Sequence, residues 1–113
     1  MNKTLLLDLQ TRGYMETCKL QHRLVELRAL GAVPDILLLV EHPHVITRGK
    51  SAKPEHILSK TLPIVEVERG GDVTYHGYGQ LVGYPILDLT SRVKDIRDYL
   101  TTLERTLIET LHD

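Results

Sequence analysis

Arg69-Gly70-Gly71-Asp72-Val73-Thr74-Tyr75-His76-Gly77-Tyr78-Gly79-Gln80-Leu81-Val82-Gly83-Tyr84-Pro85-Ile86-Leu87-Asp88-Leu89 decides how the rest of the chain is read. It joins a glycine pair, a short strand ending at His76, a second glycine run and an apolar strand. Glycines let backbone approach a ligand closely and leave amide groups free to point at an oxygen. Arg69 is suited to hold a carboxylate, phosphate or carbonyl oxygen by paired hydrogen bonds. His76 is suited to donate to an acyl oxygen or to orient a reacting group. From spacing alone the same residues also fit two turns flanking a strand pair, with His76 bonded to backbone. Glycine motifs this short are weak signals by themselves.

Outward from this stretch, short strands and two helices follow from periodicity. Lys3 to Leu9 reads as a first strand, and Gly13 to Leu30 as an amphipathic helix with Leu20, Leu24, Leu27 and Leu30 at helical spacing. Gly31 supplies a left-handed cap and Pro34 forbids continuation. Ile36 to Val40 is an unbroken apolar run, as expected of a strand buried on both faces. Glu41 to Pro54 reads mostly as loop. Ile64 to Glu68 alternates, with Val65 and Val67 on one face and Glu66 and Glu68 on the other. Asp72 to His76 and Gln80 to Leu89 read as two more strands, Pro85 placing the second at an edge, bulge or strand end. Ser91 to His112 is helical, with Val93, Ile96, Leu100, Leu103, Leu107 and Leu111 three or four apart. No internal repeat, linker or low-complexity tract interrupts this order. The expected class is α+β, a mixed sheet packed by helices.

Composition narrows the function. With fourteen basic and fifteen acidic residues the formal charge is −1, so no global field draws the chain to nucleic acid. Trp and Phe are absent, and none of the five Tyr lies in a basic stripe, so base stacking has no platform. The N-terminal apolar run is interrupted by Asp8 and Gln10, too short for a signal peptide core or a membrane span. A single cysteine excludes an intrachain disulfide and fits a reducing compartment, so a cytoplasmic protein is expected.

Other chemistry-bearing residues have ordinary readings. Glu41-His42-Pro43-His44 places two imidazoles at i and i+2, but a metal site needs three or four ligands, and only Glu55 and His56 are near in sequence. A shaped loop is the better reading, so no metal is expected. Cys18 sits mid-helix without a helix start or glycine turn to lower its pKa, which suits a small buried apolar residue rather than a nucleophile. Ser51, Ser59 and Ser91 lack a nucleophile-elbow context. Arg48, Lys50 and Lys53 form a local basic loop that is either plain solvated surface or a steering field for an acidic partner.

Arg69, Gly70, Gly71, Thr74, Tyr75, His76, Gly77, Gly79 and Gln80 resemble the signature of the octanoyltransferases of lipoate biosynthesis. Glu41-His42-Pro43 with Thr47 and Gly49 is similar to that family's earlier Glu-His-Pro-Pro loop, and Glu55-His56-Ile57-Leu58 to the segment after it. The resemblance spans nearly the whole chain. It implies the fold shared by lipoate and biotin ligases, here its N-terminal part. It also implies transfer of octanoyl from octanoyl-acyl carrier protein to a lysine of lipoyl domains, those of 2-oxoacid dehydrogenases or of the glycine cleavage H protein. No cofactor is implied. Arg69, Gly70, Gly71, Asp72, Val73, Thr74, Tyr75 and His76 would line the acyl-substrate pocket. The family's thioester-forming cysteine and its assisting lysine lie in the second half of its members, and no residue here matches them. The sequence reaches Asp113 inside a helical pattern, so residues 1–113 are expected to be part of a catalytic domain whose C-terminal part is absent. A binding fragment without turnover, and an ATP-dependent lipoate ligase relative, are the competing readings. Two departures stand out: Tyr78 replaces the proline of His-Gly-Pro-Gly and removes a φ constraint, and His44 replaces the second proline of the earlier loop.

Overall fold

The structure is a computed structural model that describes residues 3–59, 61–90 and 95–112. Two three-stranded mixed sheets form an α+β architecture. In the first, β1 (Thr4–Thr11) runs parallel to β2 (Asp35–Glu41), and β6 (Val82–Ile86) lies antiparallel on the other side of β2. A parallel pair needs a crossover, and α1 (Tyr14–Ala29) supplies it. Leu24 on α1 meets Ile36, Leu38 and Ile86 in the core, with Leu20 and Leu27 packed around them. Central β2 is accordingly the most buried strand of this sheet.

Gly31 ends α1 as its sequence position foretells. At φ +74° it allows the Ala32 amide to donate to the Leu27 carbonyl and its own amide to donate to that of Arg28, the two bonds of a Schellman cap. Arg28 then reaches the buried carboxylate of Asp35 at 2.8 Å, and that same oxygen accepts the Asp88 amide. The end of α1, the start of β2 and the chain after β6 are thereby tied together.

The second sheet differs from expectation. Its central strand is β3 (Val45–Arg48), flanked by β4 (Ile64–Glu66, parallel) and β5 (Val73–His76, antiparallel). β3 falls inside the stretch read as loop. Between Pro43 and Gly49 its four residues are too few for a period to register, although Val45, Ile46 and Thr47 are β-branched.

Register fixes the two faces of this sheet, because paired residues point the same way. Val45, Thr47, Val65, Thr74 and His76 share one face, while Ile46, Arg48, Ile64, Glu66, Val73 and Tyr75 share the other.

α2 (Ile96–His112) starts where the Asp95 carboxylate accepts the Asp98 amide, and the expected segment 91–94, with Val93, lies outside the described residues. None of its described residues is buried. Among the described residues, no helix is long and apolar enough to cross a membrane.

Candidate active site

The Arg69-Gly70-Gly71-Asp72 turn is fastened to the loop after β3. The amides of Gly49, Lys50 and Ser51 donate to the carbonyls of Asp72, Arg69 and Gly71 at 2.9–3.1 Å. The Asp72 carboxylate accepts the Lys53 amide at 2.9 Å and bonds to His56. Those contacts, the Lys53 amide first, hold its pKa below the usual carboxylate range. Arg69 completes the clasp. One terminal nitrogen donates to the carbonyls of Gly70 and Asp72, the other to Thr47 Oγ1 at 2.8 Å and Thr74 Oγ1 at 3.0 Å. Both nitrogens that were expected to grip a substrate oxygen thus serve to join three segments of protein.

This closeness explains Gly49. A Cβ there would sit 2.8 Å from the Gly70 carbonyl oxygen, 2.6 Å from the Arg69 guanidinium, and nearer still to the Gly71 carbonyl. Two of the three obstacles are backbone and cannot rotate away. Gly49→Ala is expected to cost about 1–3 kcal/mol by overpacking, read as a lowered urea midpoint. An unchanged midpoint would mean the clasp is looser than described.

Four rings, Tyr14, His42, His76 and Tyr84, form a second cluster. His42 is fully buried. Its Nδ1 lies 2.8 Å from the Arg12 carbonyl oxygen, an acceptor only, so Nδ1 carries the proton and Nε2 accepts the Tyr84 hydroxyl at 2.9 Å. Burial lowers the pKa of His42, opposed by the bond to Arg12 and aided by nearby His76. Burial likewise raises the phenols of Tyr84 and Tyr14. Tyr14 stacks on His76 with centroids 5.9 Å apart and planes 15° from parallel. His76 Nδ1 bonds to Gln80 Oε1 at 2.5 Å, and the Gln80 amide donates to the Tyr75 carbonyl. The Nδ1 proton is therefore committed. Neutral His76 offers Nε2 as an acceptor, and donates there only when the ring is protonated.

Beside the rings runs a cleft of about 410 Å³, within the range typical of small-molecule sites. Tyr14, Met15 and Cys18 of α1 form one wall, Val65, Val67 and Arg69 the other, and Tyr84 closes part of the lining. Val65 and Val67 are half-buried while Glu66 and Glu68 are exposed, so the alternation read in the sequence delivers an apolar wall with a charged rim.

Strand alternation divides the eight expected pocket residues. Thr74 and His76 share the face that meets Arg69 and Tyr14. Val73 and Tyr75 point to the other face, where Tyr75 bonds to His44 and His44 packs on Tyr78. Gly70, Gly71 and Asp72 form the turn, with Gly71 at φ +89°. The three histidines considered for a metal part company: His42 goes to Arg12 and Tyr84, His44 to Tyr75, His56 to Asp72. Among the described residues no group of three or more metal-ligating side chains assembles. In the basic loop, Arg48 is paired with Glu66 at 3.8 Å. Nothing local to α1 or β6 marks Tyr14 or Tyr84; only the fold brings them to His42 and His76.

Residues 13–113 match the model of the lipoyl protein ligase A/B catalytic domain. The chain belongs to this family. It is 48% identical over 106 residues to an octanoyltransferase of Syntrophotalea carbinolica, covering 94% of this chain and 50% of that protein. Octanoyltransferases of Syntrophobacter fumaroxidans and Gloeobacter violaceus are 45% and 46% identical, covering all of this chain and 53% and 52% of theirs. The chain spans about half the length of these relatives. The ring cluster, the Arg69 clasp and the cleft all lie within the matched residues 13–113.

Proposed function

We propose that this chain is the acyl-binding part of a cytoplasmic octanoyltransferase, which moves octanoyl from octanoyl-acyl carrier protein to a lysine of a lipoyl domain. The observation that carries the reading is the cleft: apolar along Met15, Cys18, Val65 and Val67, and polar at Tyr14, Tyr84 and Arg69, with His76 stacked on Tyr14 behind that lining. An octanoyl tail needs the first surface and a thioester carbonyl needs the second. Gly70, Gly71 and the backbone of Asp72, Val73 and Tyr75 frame the carbonyl end, with Thr74 and His76 beside it. In this scheme Arg69 positions the turn and lends it positive charge. His76 acts with its ring protonated, when Nε2 donates to the acyl oxygen. The cysteine that takes the acyl group as a thioester and the lysine that assists it are assigned to the half of the domain corresponding to the uncovered part of the relatives. Lys50 and Lys53 provide a basic edge for the acidic carrier protein. No cofactor enters this scheme.

The test joins this chain to the second half of the Syntrophotalea carbinolica protein and follows octanoyl transfer from octanoyl-acyl carrier protein to an unmodified lipoyl domain. His76→Ala is expected to slow transfer about 100-fold. Transfer at the parent rate by that variant would remove His76 from the site. Transfer that requires ATP and proceeds through an acyl adenylate would replace the transferase reading with a ligase.

A further inference from the structure

Helix α1 contributes Tyr14, Met15, Cys18, Gln21 and His22 to the cleft. These are positions i, i+1, i+4, i+7 and i+8, one continuous stripe of a helix. The cleft therefore runs along the helix axis. At 1.5 Å of rise per residue, Cys18 lies about 6 Å and His22 about 12 Å beyond Tyr14. The near end is marked by the stacking of Tyr14 on His76. The far end is marked by chemistry: Gln21 and His22 replace the apolar Met15 and Cys18.

Cys18 occupies the middle of this stripe, half-buried, on the same cleft as Tyr84 and opposite the wall of Val65 and Val67. Its side chain is the smallest of the five, so it defines the free width of the cleft one turn from the polar end. A tail shorter than that turn ends before Cys18. A longer one must pass it, and a tail extending two turns meets polar groups that it leaves undersolvated.

We infer that α1 is the length gauge of the acyl site and that Cys18 is its specificity-determining residue, the side chain past which a medium-length acyl chain must lie. The inference rests on the acyl-site reading above and adds the direction of the chain and the residue that measures it.

Cys18 is the only cysteine of the chain, so its alkylation by iodoacetamide reports on this one place. The rate is read by mass spectrometry at the Cys18 peptide of the same joined protein, both free and at matched occupancy by butanoate, hexanoate, octanoate or decanoate. Occupancy is followed independently by NMR shifts of the His76 ring. Octanoate and decanoate are expected to slow alkylation at least tenfold, while butanoate leaves it within twofold of the free rate. Cys18→Trp, checked by circular dichroism for retained fold, is expected to bind butanoate as the parent does and octanoate at least tenfold more weakly. Equal protection by butanoate and octanoate would overturn the gauge, as would octanoate that shifts His76 yet leaves Cys18 reacting at its free rate. Octanoate that neither shifts His76 nor protects Cys18 would overturn the acyl-site reading, and this inference with it. Should Cys18→Trp lose its fold, the protection series on the parent decides the matter.

Discussion

Replacing His42 by alanine is expected to destabilise the chain by about 3 kcal/mol, from a cavity and from two polar groups stripped of their partner. The Arg12 carbonyl precedes α1, His42 follows β2, and the Tyr84 hydroxyl rises from β6. One imidazole thus pins three segments, and no rotamer of alanine reaches either bond. The effect is read as the difference in urea unfolding free energy near pH 7.5. A difference below about 0.5 kcal/mol, the level of ordinary surface substitutions, would refute the role given to this ring. The pH dependence has a definite sign. The pKa of His42 is lowered by burial from 6.5, so as pH falls below 6.5 the unfolded chain takes up a proton that the folded chain does not. Stability then falls with pH until the lowered pKa is passed. The His42→Ala variant lacks that slope, and the gap between the two proteins should narrow on acidification.

Removing the guanidinium of Arg69 should slow catalysis as strongly as removing the His76 ring. In the completed enzyme, Arg69→Ala is expected to reduce octanoyl transfer by about 100-fold, the scale on which a displaced binding loop acts. Arg69→Lys should not restore it. The fork of Arg69 serves Thr47 and Thr74 with one nitrogen and the carbonyls of Gly70 and Asp72 with the other. An ammonium is a point charge and cannot bridge those groups in one geometry. Hydrogen exchange separates positioning from direct contact with substrate. If Arg69 holds the clasp, both variants speed exchange at the amides of Gly49, Lys50 and Ser51 before any substrate is added. Slow transfer with unchanged exchange would return Arg69 to the substrate itself, and a fully active Arg69→Lys would discard both roles.

Much of this was legible in the chain, for reasons specific to each part. α1 announced itself through its leucines and its Gly31 cap, and β2 through an unbroken apolar run; both are local signals that the fold has no reason to override. The alternation at Val65 and Val67 was visible, though not what it faced. β3 was hidden because four residues carry too little period to outweigh Pro43 and Gly49. The protein partners of Arg69 were not readable locally, since Thr47 and Thr74 lie 22 and 5 residues away and only the β3–β5 register brings them together. The ring cluster was the least readable. Tyr14, His42, His76 and Tyr84 come from four separate segments, and a tyrosine on a helix gives no sign of what will stack on it.

The threonine hydroxyls of α2 change the character of its surface. Thr102, Thr106 and Thr110 each donate to the carbonyl four residues earlier, at 2.8–2.9 Å. At about 100° per residue they lie in a row beside the stripe of Ile96, Leu100, Leu107 and Leu111, all of which are exposed. A threonine that turns its oxygen inward to the backbone offers a methyl group to its surroundings. The helix is consequently oilier than its letters suggest, with a border of methyls extending the strip of leucines on one side.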